Sequence, residues 1–152
     1  MIRFFKKLWA WFNCIFVFLT PFGDLFIRVW VARVFLLAGL TKIQTWDTTV
    51  FLFSSEYNVP VLSPYWAAMS GTIVELVVPV LLLIGLFGRL PAVILFFFNI
   101  VAVVSYPYLL TEQGTVGLND HFYWGILLMV TMLHGPGKIS LDFVIKWLRG
   151  KA

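Results

Sequence analysis

The chain has 152 residues, of which 61% are hydrophobic and only 12% charged, with a mean hydropathy of +0.95. A water-soluble domain is nearer one quarter charged, so this composition excludes an ordinary soluble globule and makes lipid the solvent for much of the surface. The net charge of +4 does not point to nucleic acid either, because the basic residues gather beside apolar segments rather than in a run interleaved with loop aromatics.

In chain order, residues 1–23 start with Arg3, Lys6 and Lys7 and continue as the apolar run Leu8 to Leu19. These resemble the first two regions of a signal peptide, but Thr20-Pro21-Phe22-Gly23-Asp24 offers no small-x-small cleavage site. A retained, basic, tryptophan-bearing interfacial helix is expected. Cys14, the single cysteine, falls within it and is read as a small hydrophobe; alone it forms no intrachain disulfide, C-x-x-C redox motif or thiolate metal cluster. Residues 24–134 hold four apolar segments, about Leu25 to Lys42, Tyr65 to Phe87, Leu90 to Leu110 and Asn119 to Leu133. The first three approach the twenty or so residues of a spanning helix, and the fourth is short. Pro60 and Pro64, Gly88 and Pro91, and the stretch from Gly114 to His121 separate them. In residues 138–152 Ser140 caps an amphipathic helix. Leu141, Val144, Ile145 and Leu148 share one face, and Asp142, Lys146 and Arg149 the other, with Asp142 and Lys146 spaced for an ion pair. The expected fold is all-α: one domain, a polytopic membrane four-helix bundle with amphipathic interfacial helices at both termini.

Placing both termini in the cytoplasm puts Arg3, Lys6, Lys7, Arg28, Arg89, Lys138, Lys146, Arg149 and Lys151 inside and only Lys42 outside. That asymmetry fits the positive-inside rule for a bacterial inner membrane, with Lys42, Arg89 and Asp142 at the interfaces. Trp46, Tyr57, Tyr65, Trp66, Tyr106, Tyr108, Tyr123 and Trp124 then form the outer aromatic belt.

Within the apolar segments, Arg33, Glu75 and Asn99 fall at similar depth. Nine residues from Arg33 to Lys42 and ten from Tyr65 to Glu75, at about 1.5 Å each, place both charges roughly 13 to 15 Å below one surface. Intramembrane charges face the bundle interior and pair, so an Arg33–Glu75 pair with Asn99 nearby is the expected polar cluster. Pro79 sharpens it: proline has no N–H, so the Glu75 carbonyl loses its helical partner and calls for another donor. The cluster reads either as a structural clasp beside a proline kink or as a ligand or proton site.

His121 and His134 are thirteen residues apart, about 20 Å along a helix, and cannot share a metal or haem. His121 with Asp120 and Glu112 is a weak metal set, short of three or four matched ligands. His134, before Gly135-Pro136-Gly137, suits a helix C-terminus. No phosphate loop, nucleophile elbow or HExxH helix marks an autonomous enzyme, and no cofactor site is evident.

Arg33 with Gly39 and Lys42, then Glu75 with Gly85 and Arg89, then Gly135-Pro136-Gly137 with Ser140-Leu141-Asp142, resemble in combination the DoxX/DoxD family of small four-helix membrane proteins. The resemblance covers about residues 25 to 145. It implies membrane location and fold. By the same resemblance, whose archaeal namesake belongs to a thiosulfate:quinone oxidoreductase, a quinone is the implied ligand. A partner protein from an oxidative-stress, redox or copper-handling operon is the implied company. Two readings of function follow. In one, the chain is a membrane component of a redox-linked or metal-handling system whose Arg33, Glu75 and Asn99 cluster binds a quinone-like ligand. In the other it is a non-catalytic scaffold or anchor, its basic helices held by the anionic inner leaflet, that recruits a partner. Its oligomeric state is open.

Overall fold

The computed structural model describes residues 2–150, and every regular element among them is a helix. In chain order the helices are α1 (Ile2–Gln44), α2 (Trp46–Ser55), α3 (Pro64–Ile84), α4 (Leu90–Ser105), α5 (Thr115–His134) and α6 (Leu141–Leu148), with a 3-10 turn over Pro107–Leu110. Four of them, α1, α3, α4 and α5, make the bundle expected from sequence, packed around Val31, Phe35, Val78, Leu82, Ala92, Leu95 and Leu128. By length and composition α1 and α3 can cross a bilayer, and α4 is a shorter apolar helix.

Several boundaries differ from the sequence reading. No break separates residues 2–23 from the first apolar segment: α1 runs on for 43 residues, about 64 Å, through Pro21. One proline withdraws one backbone hydrogen bond, and in the preceding turn Thr20 Oγ1 donates to the Phe16 carbonyl at 2.8 Å. The third segment stops at Ser105, because Tyr106 precedes Pro107 and is pushed out of the helical region. The fourth starts at Thr115 and reaches 20 residues, so it is not short. The stretch Trp46–Ser55, between the first two apolar segments, is the helix α2. Thr49 and Phe53, four apart, face inward, and Phe53 packs on Ala67 and Ala68 of α3.

α3 ends in a Schellman motif. Gly85 sits at φ 68°, Leu86 N donates to the Leu81 carbonyl at 3.0 Å and Gly85 N to the Leu82 carbonyl at 3.2 Å. Arg28, counted from sequence among the interfacial cations, is instead 1% exposed and serves the same end. Its Nη1 donates to the Leu82 and Leu83 carbonyls at 3.4 and 3.1 Å, and its Nη2 to the Ile139 carbonyl. The guanidinium thus joins α1, α3 and the Gly135–Ser140 connection. Ser140 caps α6 as expected, accepting from Phe143 N at 3.2 Å. Asp142, however, accepts from Gly88 N instead of pairing with Lys146, since the α3–α4 turn presents a free amide to it. Asp142 N returns a bond to the Gly85 carbonyl at 3.1 Å, and His134 Nδ1 lies 3.5 Å from Asp24. Arg89 is exposed at this same end of the bundle, near Gly135.

Candidate functional site: an apolar cavity with two polar pairs

The site lies at the other end, where α1, α3 and α4 meet α2 and the start of α5. Its first pair depends on a glycine. Where α1 crosses α3, a Cβ on Gly39 would come within 3.0 Å of the Glu75 Cβ and of the Leu76 side chain, so a residue without one lets the backbones close. One turn on, Lys42 is carried over the Glu75 carboxylate, and its Nζ donates to Oε1 at 2.8 Å and Oε2 at 2.7 Å. Side-chain exposure is 21% for Lys42 and 9% for Glu75, so the pair is largely withdrawn from solvent.

Arg33 is therefore not the partner of Glu75. Nine residues at 100° each separate it from Lys42, which sets the two on opposite faces of α1 and leaves Arg33 exposed on the outside of the bundle. Asn99 is buried as expected but joins a different group. Its Nδ2 donates to the His121 carbonyl at 2.9 Å, and its Oδ1 lies 2.7 Å from His121 Nδ1. Asn99 is six residues before the end of α4 and His121 six after the start of α5, so the antiparallel hairpin sets them level. Pro79 is fully buried within α3 and does not line the cavity, and no side chain among the described residues donates to the Glu75 carbonyl.

Both pairs open on a cavity of about 410 Å³. Its walls are apolar, from Phe35 and Ala38 of α1, Val74 of α3, Phe98 and Val101 of α4, and Trp124 of α5; Lys42, Glu75 and His121 converge on it. A second cavity of about 310 Å³, between α4 and α5, lies on the other side of His121 and Asn99. The first is roofed by stacked rings. Tyr57 lies against Phe53 with centroids 4.4 Å apart and against Tyr106 at 4.5 Å, both nearly parallel. Tyr106 OH donates to Glu56 at 3.1 Å, and Asn58 N donates to the Ser105 carbonyl at 2.7 Å, tying the α2–α3 connection to the end of α4. Burial, with Tyr106 and then the negative charge of Glu75 and Glu56 nearby, pushes the Tyr57 hydroxyl up to about 12, so it stays a neutral donor. Ser105 Oγ is buried here without a hydrogen-bond partner among the described residues.

Chemically, the cavity offers donors in Lys42 and Tyr57 and acceptors in Glu75 and His121, in a low-dielectric setting. Among the described residues no three His, Cys, Asp or Glu side chains are grouped to hold a metal. His121, weighed from sequence with Asp120 and Glu112, turns to Asn99 instead.

The DoxX family profile matches residues 23–107, more than half of the chain. This chain belongs to the DoxX family. It is 30% identical over 125 residues to the inner membrane protein YphA of Escherichia coli (strain K12), an alignment covering 78% of this chain and 86% of that protein. No solved structure matches it. It is thus a DoxX-family membrane protein. Gly39, Lys42 and Glu75, which bring α1 onto α3, all lie inside the matched region, and His121 lies beyond it.

Proposed function

We propose that this DoxX-family protein is a multi-pass component of a redox-linked membrane system, with both termini cytoplasmic, and that its cavity holds a lipid-soluble ligand with a polar head, such as a quinone. One observation carries the reading: an apolar cavity of about 410 Å³ in which an ion pair and an imidazole converge. That is the composition of small-molecule sites, apolar walls with a few placed polar groups. The internal pairing of Lys42 with Glu75 leaves the cavity without net charge from that pair, which suits a neutral head. The orientation is supported by Arg89, Lys138, Lys146 and Arg149, all at the end of the bundle away from the cavity, so that the cavity lies toward the outer leaflet.

The test is direct. Protein purified in a mild detergent is extracted with organic solvent, and the extract is searched by mass spectrometry for isoprenoid quinones; in parallel a short-tailed quinone is titrated while thermal unfolding is followed. A ligand present at 100 times its Kd stabilises by about 2.7 kcal/mol. No quinone in the extract and no shift at saturating quinone would overturn the reading.

A partner-recruiting role is favoured by a separate feature. Between Phe4 and Phe22, α1 exposes Trp9, Trp11, Phe16 and Phe18 and buries no side chain. Removing residues 2–19 should leave quinone binding intact and lose whatever membrane partner copurifies.

A further inference from the structure

The tautomer of His121 is fixed by its surroundings. Asn99 can present either end of its amide to the imidazole, but the other end meets the His121 backbone carbonyl at 2.9 Å, and of the two ends only the N–H end can donate to a carbonyl. Nδ2 must therefore face the backbone and Oδ1 the ring. With an acceptor oxygen 2.7 Å from Nδ1, that nitrogen carries the proton, and in the neutral ring Nε2 is left with a lone pair. Nε2 makes no hydrogen bond among the described residues, while the ring lines the cavity, edge-on to Trp124 at 4.8 Å.

We propose that His121 accepts a hydrogen bond at Nε2 from a hydroxyl of the ligand, so that the cavity selects a phenol or hydroquinone head over an equally sized head with no O–H. Asn99 is the positioning residue. This deepens the ligand-site reading above and rests on it. Lys42 already gives hydrogens to both Glu75 oxygens, whereas the imidazole Nε2, like the Ser105 hydroxyl oxygen, has no protein donor of its own among the described residues.

The experiment compares two probes on the full chain in detergent, a short-tailed benzohydroquinone kept reduced under anaerobic conditions and the same molecule with both hydroxyls methylated. Wild type should bind the hydroquinone about tenfold more tightly, equivalent to about 1.4 kcal/mol. His121→Phe keeps a ring against Trp124 and removes the acceptor, so the preference should vanish and the two probes should bind with equal affinity. Independently of that variant's folding, nitrogen-15 shifts of the two labelled histidines should show His121 protonated at Nδ1 in wild type. In Asn99→Leu that signature should be lost and the preference reduced. Equal binding of the two probes by wild type, or an Nε2–H tautomer at His121, overturns the inference and leaves the cavity a ligand site. Binding of neither probe overturns the site along with it.

Discussion

The Lys42–Glu75 pair makes an asymmetric prediction. Lys42→Met leaves a carboxylate, with its side chain 9% exposed, facing apolar walls with no cation. Breaking a buried pair in this way costs about 3 to 5 kcal/mol. Glu75→Gln leaves an ammonium instead, but Lys42 lies in the last turn of α1, and its four-carbon stem can swing the charge outward. That change should cost only about 1 kcal/mol, the worth of one net hydrogen bond. The double change Lys42→Met with Glu75→Gln removes the stranded charge and should be more stable than Lys42→Met alone, by about 2 kcal/mol or more. Unfolding of the purified variants in one detergent, followed by circular dichroism, reads the order. At 2 to 4 °C per kcal/mol, Lys42→Met should melt roughly 6 to 20 °C below wild type. Arg33→Gln is the control, and because Arg33 is exposed it should stay within about 0.5 kcal/mol of wild type. Equal losses for the two single variants would refute the asymmetry, and strict additivity in the double would show that the charges do not meet.

Gly39→Ala should destabilise by about 1 to 3 kcal/mol, since its Cβ would sit 3.0 Å from the Glu75 Cβ and force α1 off α3; the same melting assay checks it. Arg28→Met should cost at least about 2 kcal/mol by stripping donors from three carbonyls, and should make the segment after Gly135 newly sensitive to protease. Pro79→Ala restores a backbone bond away from the cavity, so it should raise the melting temperature and leave quinone affinity unchanged. Tyr57 is raised above the ordinary phenol, so the unfolded chain loses that proton first. Stability should be flat in this respect below about pH 10 and fall between there and about 12, a decline that Tyr57→Phe should lessen.

Much of the fold was legible because lipid imposes a simple rule, that long apolar runs become helices, and punctuation by Pro60, Pro64, Gly88 and Pro91 divides them. The Ser140 cap was legible for the same local reason, a hydroxyl three residues before an amide in need of an acceptor. What failed was whatever depended on another helix. Asp142 and Lys146 satisfy the spacing of an ion pair, but nothing local reveals the bare Gly88 amide that claims Asp142. Nor does sequence distinguish Arg28, in a basic and aromatic surrounding typical of an interface, from a side chain buried against the frayed carbonyls of α3.

The site shows the same limit more sharply. Counting residues inward missed the depth and left azimuth undetermined: Glu75 sits level with Gly39, six residues or about 9 Å along α1 from Arg33, and Arg33 points to the opposite side of α1 from Lys42. The available corrective was Gly39, since a glycine one turn before a lysine, on a helix otherwise rich in large residues, marks where that helix touches a neighbour. The second pair was hidden by end points rather than by azimuth. Extending the third segment to Leu110 and starting the fourth at Asn119 sank Asn99 and lifted His121 to the surface. With the ends set by Pro107 and Thr115, both stand six residues from their hairpin. An asparagine and a histidine at matched distance from one antiparallel turn are close enough to bond. In a medium without water, a polar pair that can bond internally is the arrangement left to it. The same pairing takes up both ends of the amide and one nitrogen of the ring, and so leaves the remaining nitrogen free for another donor.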